Sequence, residues 1–199
     1  MSNTPTLEQQ IATSGLTYGR RHDISYRAGL LIQVFGLALL AVLYPLESPF
    51  YTTGIMLFET GVLLSAVYLL VWMRPVKKFI VSSVTIGLVL QVAGYFAAPE
   101  QYAGAVMIAG IGLVCVGAAG MVGKEAYCFG YREGWLLAMF GFPIMVLANL
   151  VGRENHIFNS LGFSILFILL LSLTGKKLKQ PLLSKCSTDV CGSPHQKVY

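Results

Sequence analysis

Charge is what this sequence has least of. Of its 199 residues only 12% are Asp, Glu, Lys or Arg, roughly half of the ~25% usual in a soluble domain. A soluble protein so poor in charge could not cover its surface. With 55% hydrophobic residues, the composition instead asks for lipid around most side chains. Catalytic templates are missing as well. There is no Gly-x-Ser-x-Gly elbow, no His-Glu-x-x-His pair, no Cys-x-x-Cys and no paired-carboxylate motif inside an apolar run. No enzyme activity and no cofactor is indicated.

Paired cysteines are also lacking. Cys115 lies within an apolar run, Cys128 in a gap, and Cys186 and Cys191 in the polar tail. Such scatter suits reduced thiols rather than a disulfide framework. Cys186, Cys191 and His195 offer three soft ligands, short of the four that a structural zinc site uses, so no metal is expected. His22 and His156 show no evident partner. No cleaved leader is expected, because the first apolar run starts near Ala28 after a polar lead.

Six apolar runs are present: Ala28–Tyr44, Thr53–Met73, Phe79–Ala98, Ala103–Gly123, Trp135–Val151 and Ile157–Leu173. Each approaches the ~20 residues that cross a ~30 Å hydrocarbon core. Backbone amides in lipid must be satisfied within the segment, so helices follow. The expected fold is all-α, a bundle of six transmembrane helices. A polar segment over 1–25 should precede a membrane domain over 26–174, and a basic, disordered tail over 175–199 should follow. The gaps are short, which lays consecutive helices antiparallel and side by side.

The net charge of +5 raises nucleic acid as a partner, but the basic residues stand in gaps and at the ends. No aromatic-plus-basic stripe accompanies them, so nucleic-acid binding is not expected. Arg20, Arg21, Arg27, Arg74, Lys77, Lys78, Lys124, Arg132, Lys176, Lys177, Lys179, Lys185 and Lys197 all fall on one side of the alternation, against Arg153 alone on the other. That asymmetry predicts both termini in the cytoplasm. Trp72 and Trp135 at inner ends, with Tyr44, Tyr51 and Tyr102 at outer ends, fit interfacial aromatic belts. The location expected is a bacterial plasma membrane, or an internal photosynthetic membrane such as the thylakoid.

Few residues look out of place in lipid. Glu59 is the one acid inside a run, and such residues are costly there. At 1.5 Å rise per residue it lies about 10 Å below the outer face, and Gln91 reaches a similar depth on the third helix. Asn149 falls in the same outer third on the fifth. Facing one another, the three would form a small polar pocket opening outward. The plainer reading is interhelical glue, with Glu59 protonated or reaching for the outer headgroups. The fourth run holds Gly104, Gly110, Gly112, Gly117, Gly120 and Gly123, which reads as a helix wedged closely among neighbours. Pro143, just after Gly141, should kink the fifth helix near residue 139 or 140. No internal repeat stands out: Tyr26-Arg27-Ala28-Gly29 only faintly echoes Tyr102-Ala103-Gly104.

The gap Gly123-Lys124-Glu125-Ala126-Tyr127-Cys128-Phe129 is the most distinctive stretch. A Lys-Glu-Ala-aromatic-Cys-Phe stretch after the fourth span resembles an uncharacterised family of prokaryotic integral membrane proteins, common in cyanobacteria and known as a domain of unknown function. The resemblance runs from about Tyr26 to Leu173. It implies a membrane protein and brings no activity and no site residues. On the residues alone, Lys124, Glu125 and Cys128 mark either a charged helix end or a cytoplasmic site.

Three classes of function follow. The first is an accessory, assembly or structural subunit of a membrane complex, with the lipid bilayer and other membrane proteins as partners. The second is a small transporter or channel working at Glu59, and the third a membrane enzyme or cofactor binder at Lys124, Glu125 and Cys128. Small size, short gaps and the lack of catalytic residues favour the first.

Overall fold

The computed structural model describes residues 20–70, 74–151, 156–180 and 182. The tail residues Cys186, Cys191 and His195 lie outside them. Among the described residues the secondary structure is helical, without strands. The helices are α1 (Arg20–Leu43), α2 (Tyr51–Val67), α3 (Arg74–Phe96), α4 (Glu100–Phe129), α5 (Arg132–Leu136), α6 (Phe142–Val151) and α7 (His156–Lys179). A π-helical turn over Leu137–Gly141 joins α5 to α6.

Each of the six apolar runs contains helix, but the helices differ in reach. α1, α3, α4 and α7 are long and apolar enough to cross a membrane. α2 has 17 residues, about 26 Å of rise, and stops at Val67 where the hydropathy continues to Met73. α4, with 30 residues, rises about 45 Å, so it projects past a ~30 Å core. The helix breaks have local causes. Pro45 follows the end of α1, and Pro99 caps the start of α4 with extended backbone. Gly130 ends α4 in the left-handed region at φ 68°, its N–H donating to Ala126 O, a conformation that glycine adopts without penalty.

The expected kink at Pro143 takes the form of the π-helical turn. Proline lacks the N–H that would continue the ladder and its ring crowds the preceding turn, and widening to i→i−5 bonding relieves both.

The core is made of Leu30, Leu37, Val62, Ala66, Val84, Val114, Ala118, Met121, Leu137, Phe142, Leu170 and Leu173, among others. The outer faces are no less apolar: Phe35, Val42, Met56, Val89, Val92, Met139, Phe140, Leu161 and Ile168 are exposed. Exposed apolar surface on this scale would associate in water and suits an apolar solvent.

The backbones pack in two αα-hairpins, α1 with α2 and α3 with α4, and glycines set the distance. Gly29 and Gly36 on α1 face Gly61 and Gly54 on α2. A Cβ on Gly61 would stand 2.7 Å from Gly29 O and 2.6 Å from Gln33 N. In the second hairpin a Cβ on Gly110 would stand 2.7 Å from Gly87 O and 3.0 Å from Gln91 N. Gly29 approaches Ser65 N as Gly87 approaches Val114 N, at 2.7 and 2.9 Å for the added Cβ. The two hairpins therefore share one register.

That register exposes a repeat which the sequence reading missed. Gly29-Leu-Leu-Ile-Gln33-Val-Phe-Gly36 corresponds to Gly87-Leu-Val-Leu-Gln91-Val-Ala-Gly94. The two copies follow each other in the same chain direction, a tandem repeat rather than an inverted one. The wedge expected of the α4 glycines holds at Gly110 and Gly117, whereas Gly104 faces open space.

Candidate functional site

Glu59 and Gln91 meet, as their depths suggested. α2 carries Glu59 to the seam between the hairpins, where it is 7% exposed, and Gln91 Nε2 donates to Glu59 Oε1 at 2.6 Å. The repeat explains why Gln91 reaches so far. Its counterpart Gln33 donates within its own hairpin, to Ser65 Oγ at 2.9 Å and Gly61 O at 3.1 Å. Val114 stands where Ser65 would correspond. Without that hydroxyl the Gln91 amide turns to the other hairpin.

Asn149 belongs to a different cluster. It exchanges two 3.0 Å hydrogen bonds with Asn159 of α7, and its Nδ2 also donates to Met145 O, one turn back. Asn159 Nδ2 donates to the Tyr44 hydroxyl at 3.0 Å. His156, without an evident partner in the sequence, stacks on the Tyr44 ring, its Nε2 2.9 Å from Tyr44 O. His22 meets Tyr68 edge to face. The three residues expected at one polar level thus enter two separate ties: Glu59–Gln91, and Asn149–Asn159 with Tyr44 and His156.

The opposite, basic end of the bundle holds a denser cluster around Glu125. The Glu125 side chain is fully buried. Lys124 Nζ lies 3.0 Å from its Oε1, Lys177 Nζ 2.9 Å from its Oε2, and the Tyr26 hydroxyl donates to Oε1 at 3.1 Å. Lys177, 4% exposed, also sits 4.3 Å from the Phe129 ring centroid, so cation–π attraction adds to the ion pair. Three elements far apart in sequence, α1, α4 and α7, converge on one carboxylate.

Beside it, Arg27 forms a two-pronged pair with Asp23, at 3.0 Å from Nε and 2.9 Å from Nη2. Its Nη1 donates to Leu178 O and Gln180 O at the end of α7. Glu133 accepts from Lys176 and from Ser172. The Lys176 ammonium holds the Glu133 carboxyl below its ordinary range. Burial, aided by the nearby Glu125 charge, pushes the Tyr131 hydroxyl up. Tyr131 in turn accepts from Gln180 Nε2 at 2.7 Å.

Of the expected cytoplasmic motif, Lys124 and Glu125 come together while Cys128 is exposed one turn on. Lys177, Tyr26, Asp23 and Arg27 were missed. Asp23 and Arg27 at i,i+4 were readable as a helix pair. Nothing in the sequence joins Lys177 to Glu125. Among the described residues no group of three or more His, Cys, Asp or Glu is arranged to hold a metal.

Helical architecture throughout the described residues, an apolar exterior and polar side chains tied to one another inside the bundle define an integral membrane protein of several apolar helices. The family described as "Uncharacterized integral membrane protein (DUF2301)" matches residues 62–189, more than half of the chain, and the chain belongs to it. The match starts inside α2 rather than at Tyr26, and it runs past Leu173 into the tail. Comparison with curated proteins and with solved structures returned no match.

Proposed function

We propose that the chain spans the membrane six times with both termini in the cytoplasm, and that it serves as an accessory, assembly or structural subunit of a membrane complex. The membrane domain would cover 26–174, between polar segments over 1–25 and 175–199, in a bacterial plasma membrane or an internal photosynthetic one. The observation that carries the accessory role is that Gln33, Glu59, Gln91 and Asn149 in the apolar runs bond polar side chains of neighbouring helices. Gln33 bonds Ser65, Gln91 bonds Glu59, and Asn149 bonds Asn159. Groups engaged in this way fasten helices together and leave broad apolar faces for lipid or neighbouring subunits. The six spans rest on the six apolar runs, with α2 short and the fifth crossing assembled from α5, the π turn and α6.

A transporter or channel is the second reading, and one observation favours it. Glu59 is bonded by an amide, which serves a carboxyl in either protonation state.

The test combines native electrophoresis of gently solubilised membranes with reporter fusions. Fusions near Lys78 and after Lys179 should report cytoplasm, and a fusion near Glu47 the opposite side. The chain should migrate in a larger stoichiometric assembly that is lost on deletion and restored by Glu59→Gln. Migration as a lone monomer, together with solute flux abolished by Glu59→Gln in proteoliposomes, would replace this reading by the second.

A further inference from the structure

The repeat extends to a third copy. Met145-Val-Leu-Ala-Asn149-Leu-Val-Gly152 follows Gly87-Leu-Val-Leu-Gln91-Val-Ala-Gly94 at the spacing by which that stretch follows Gly29-Leu-Leu-Ile-Gln33-Val-Phe-Gly36. Each amide faces the matching position of the helix that follows: Gln33 meets Gly61, Gln91 meets Gly110, and Asn149 meets Asn159. The described helices are thus three αα-hairpins, the third formed by α5, α6 and α7. The first helix of each packs on the second helix of the one before, α3 on α2 and α6 on α4, and α1 on α7 closes the ring.

The three seams are not held alike. The α1–α7 seam is clamped at both ends, by Tyr44 with His156 and Asn159, and by Arg27 on Leu178 O and Gln180 O. Glycines bring α4 close to α5 and α6. A Cβ on Gly134 would stand 2.7 Å from Val122 O, and one on Gly112 3.1 Å from the Val146 side chain. At the α2–α3 seam the glycines are turned away, Gly54 and Gly61 to α1, Gly87 and Gly94 to α4. The hydrogen bond described there runs from Gln91 to Glu59. Beyond it, towards Pro99, the flanking side chains are bare. Leu37, on the stripe of α1 between Tyr26 and Tyr44, is 2% exposed, whereas its counterpart Tyr95 is 73% exposed. Met56, one turn before Glu59, is exposed as well.

We propose that the α2–α3 seam is the one that parts, with Glu59–Gln91 as its latch. A second acceptor for Gln91 is already in place. A Cβ on Gly87 would stand 2.6 Å from Gly110 O, as one on Gly29 would stand 2.9 Å from Gly61 O. Gly61 O is where Gln33 donates. In that pose Gln91 releases Glu59 and keeps its amide bonded, which avoids the cost of an orphaned donor in an apolar interior. Parting bares the Glu59 carboxyl, so the motion controls access to that acid. The device stands whether the chain is an accessory subunit or a transporter.

The experiment is pulsed dipolar spin-label spectroscopy on the full chain in lipid nanodiscs, with its native cysteines replaced by alanine. Labels on Met56→Cys and Tyr95→Cys report the α2–α3 seam, and labels on Val42→Cys and Ile157→Cys report the α1–α7 seam. Two distance populations are expected across the first and one across the second. Val114→Ser offers Gln91 a further acceptor in its own hairpin. It should raise the longer-distance population about fivefold over the shorter, the worth of one added hydrogen bond. Gln91→Leu removes the latch and should shift the populations the same way if Val114→Ser fails to fold. One narrow distance at both seams, equal breadth at both, or populations that neither variant moves would overturn the proposal.

Discussion

Gln91 donates to Glu59 across the seam between two hairpins, whereas Gln33, its counterpart in the repeat, stays within its own hairpin. Ser65 in one copy stands against Val114 in the other, and the amide that lacks the hydroxyl is the one that ties the halves together.

If so, Val114→Ser should give Gln91 a local acceptor and loosen the seam. Gln91→Leu should cost about 1–3 kcal/mol by leaving the mostly buried Glu59 without its donor. Glu59→Gln keeps a polar partner for Gln91 and should stay within about 1 kcal/mol of the parent. Thermal melting in detergent, arranged as a double-mutant cycle over Glu59 and Gln91, checks this: additive costs would sink the coupling.

The glycine register makes matched predictions for the two hairpins. Gly61→Ala and Gly110→Ala each push a methyl against the facing backbone, and each should destabilise by about 1–3 kcal/mol or more. Gly104→Ala meets nothing within 4 Å and should stabilise its helix by up to about 1 kcal/mol. Melting temperatures of the three variants distinguish a packing role from a general intolerance of substitution.

At the basic end, Glu125→Ala leaves two lysines around an emptied site, of which Lys177 is buried. The expected loss is about 3–5 kcal/mol, as for a buried pair broken on one side. Lys177→Met, which keeps the stem but drops the charge, should cost less because Lys124 and Tyr26 still hold the carboxylate. Equal effects of the two would show that Lys124 and Tyr26 do not hold the carboxylate without Lys177.

The Glu133–Lys176 tie carries a pH signature. Lys176 lowers the Glu133 pKa in the folded state, so the unfolded state binds the proton more readily. The stabilisation is complete above the unfolded carboxyl value of about 4.3 and is lost as pH falls through the depressed folded value. Hydrogen-exchange protection in the last turn of α7, taken relative to the intrinsic rate at each pH, should therefore fall in the parent as pH drops below the ordinary carboxyl range. Glu133→Gln should flatten that part of the profile, and an unchanged profile would show that the tie is idle.

Much of this was legible before any coordinates. Each of the six apolar runs contains helix, because a chain without water must satisfy its amides within the segment. Glu59 and Gln91 were placed at one depth by rise per residue alone, and they meet. Asn149 bonds Asn159 instead of joining them. The repeat lay in plain view as two Gly-Leu-x-x-Gln-Val-x-Gly stretches, but without the facing glycines they read as ordinary apolar sequence.

Helix content, the apolar class of the surface and the place of each polar group along its helix follow from the sequence itself, because hydropathy and a fixed rise act along one axis. Tertiary structure alone decided which helices are neighbours and how each is rotated about its axis. In a soluble helix a polar face announces that rotation. Here the interior and the surroundings are both apolar, so Lys177 finding Glu125, or Asn149 finding Asn159, was settled by backbone packing at the glycines and by polar partners in reach.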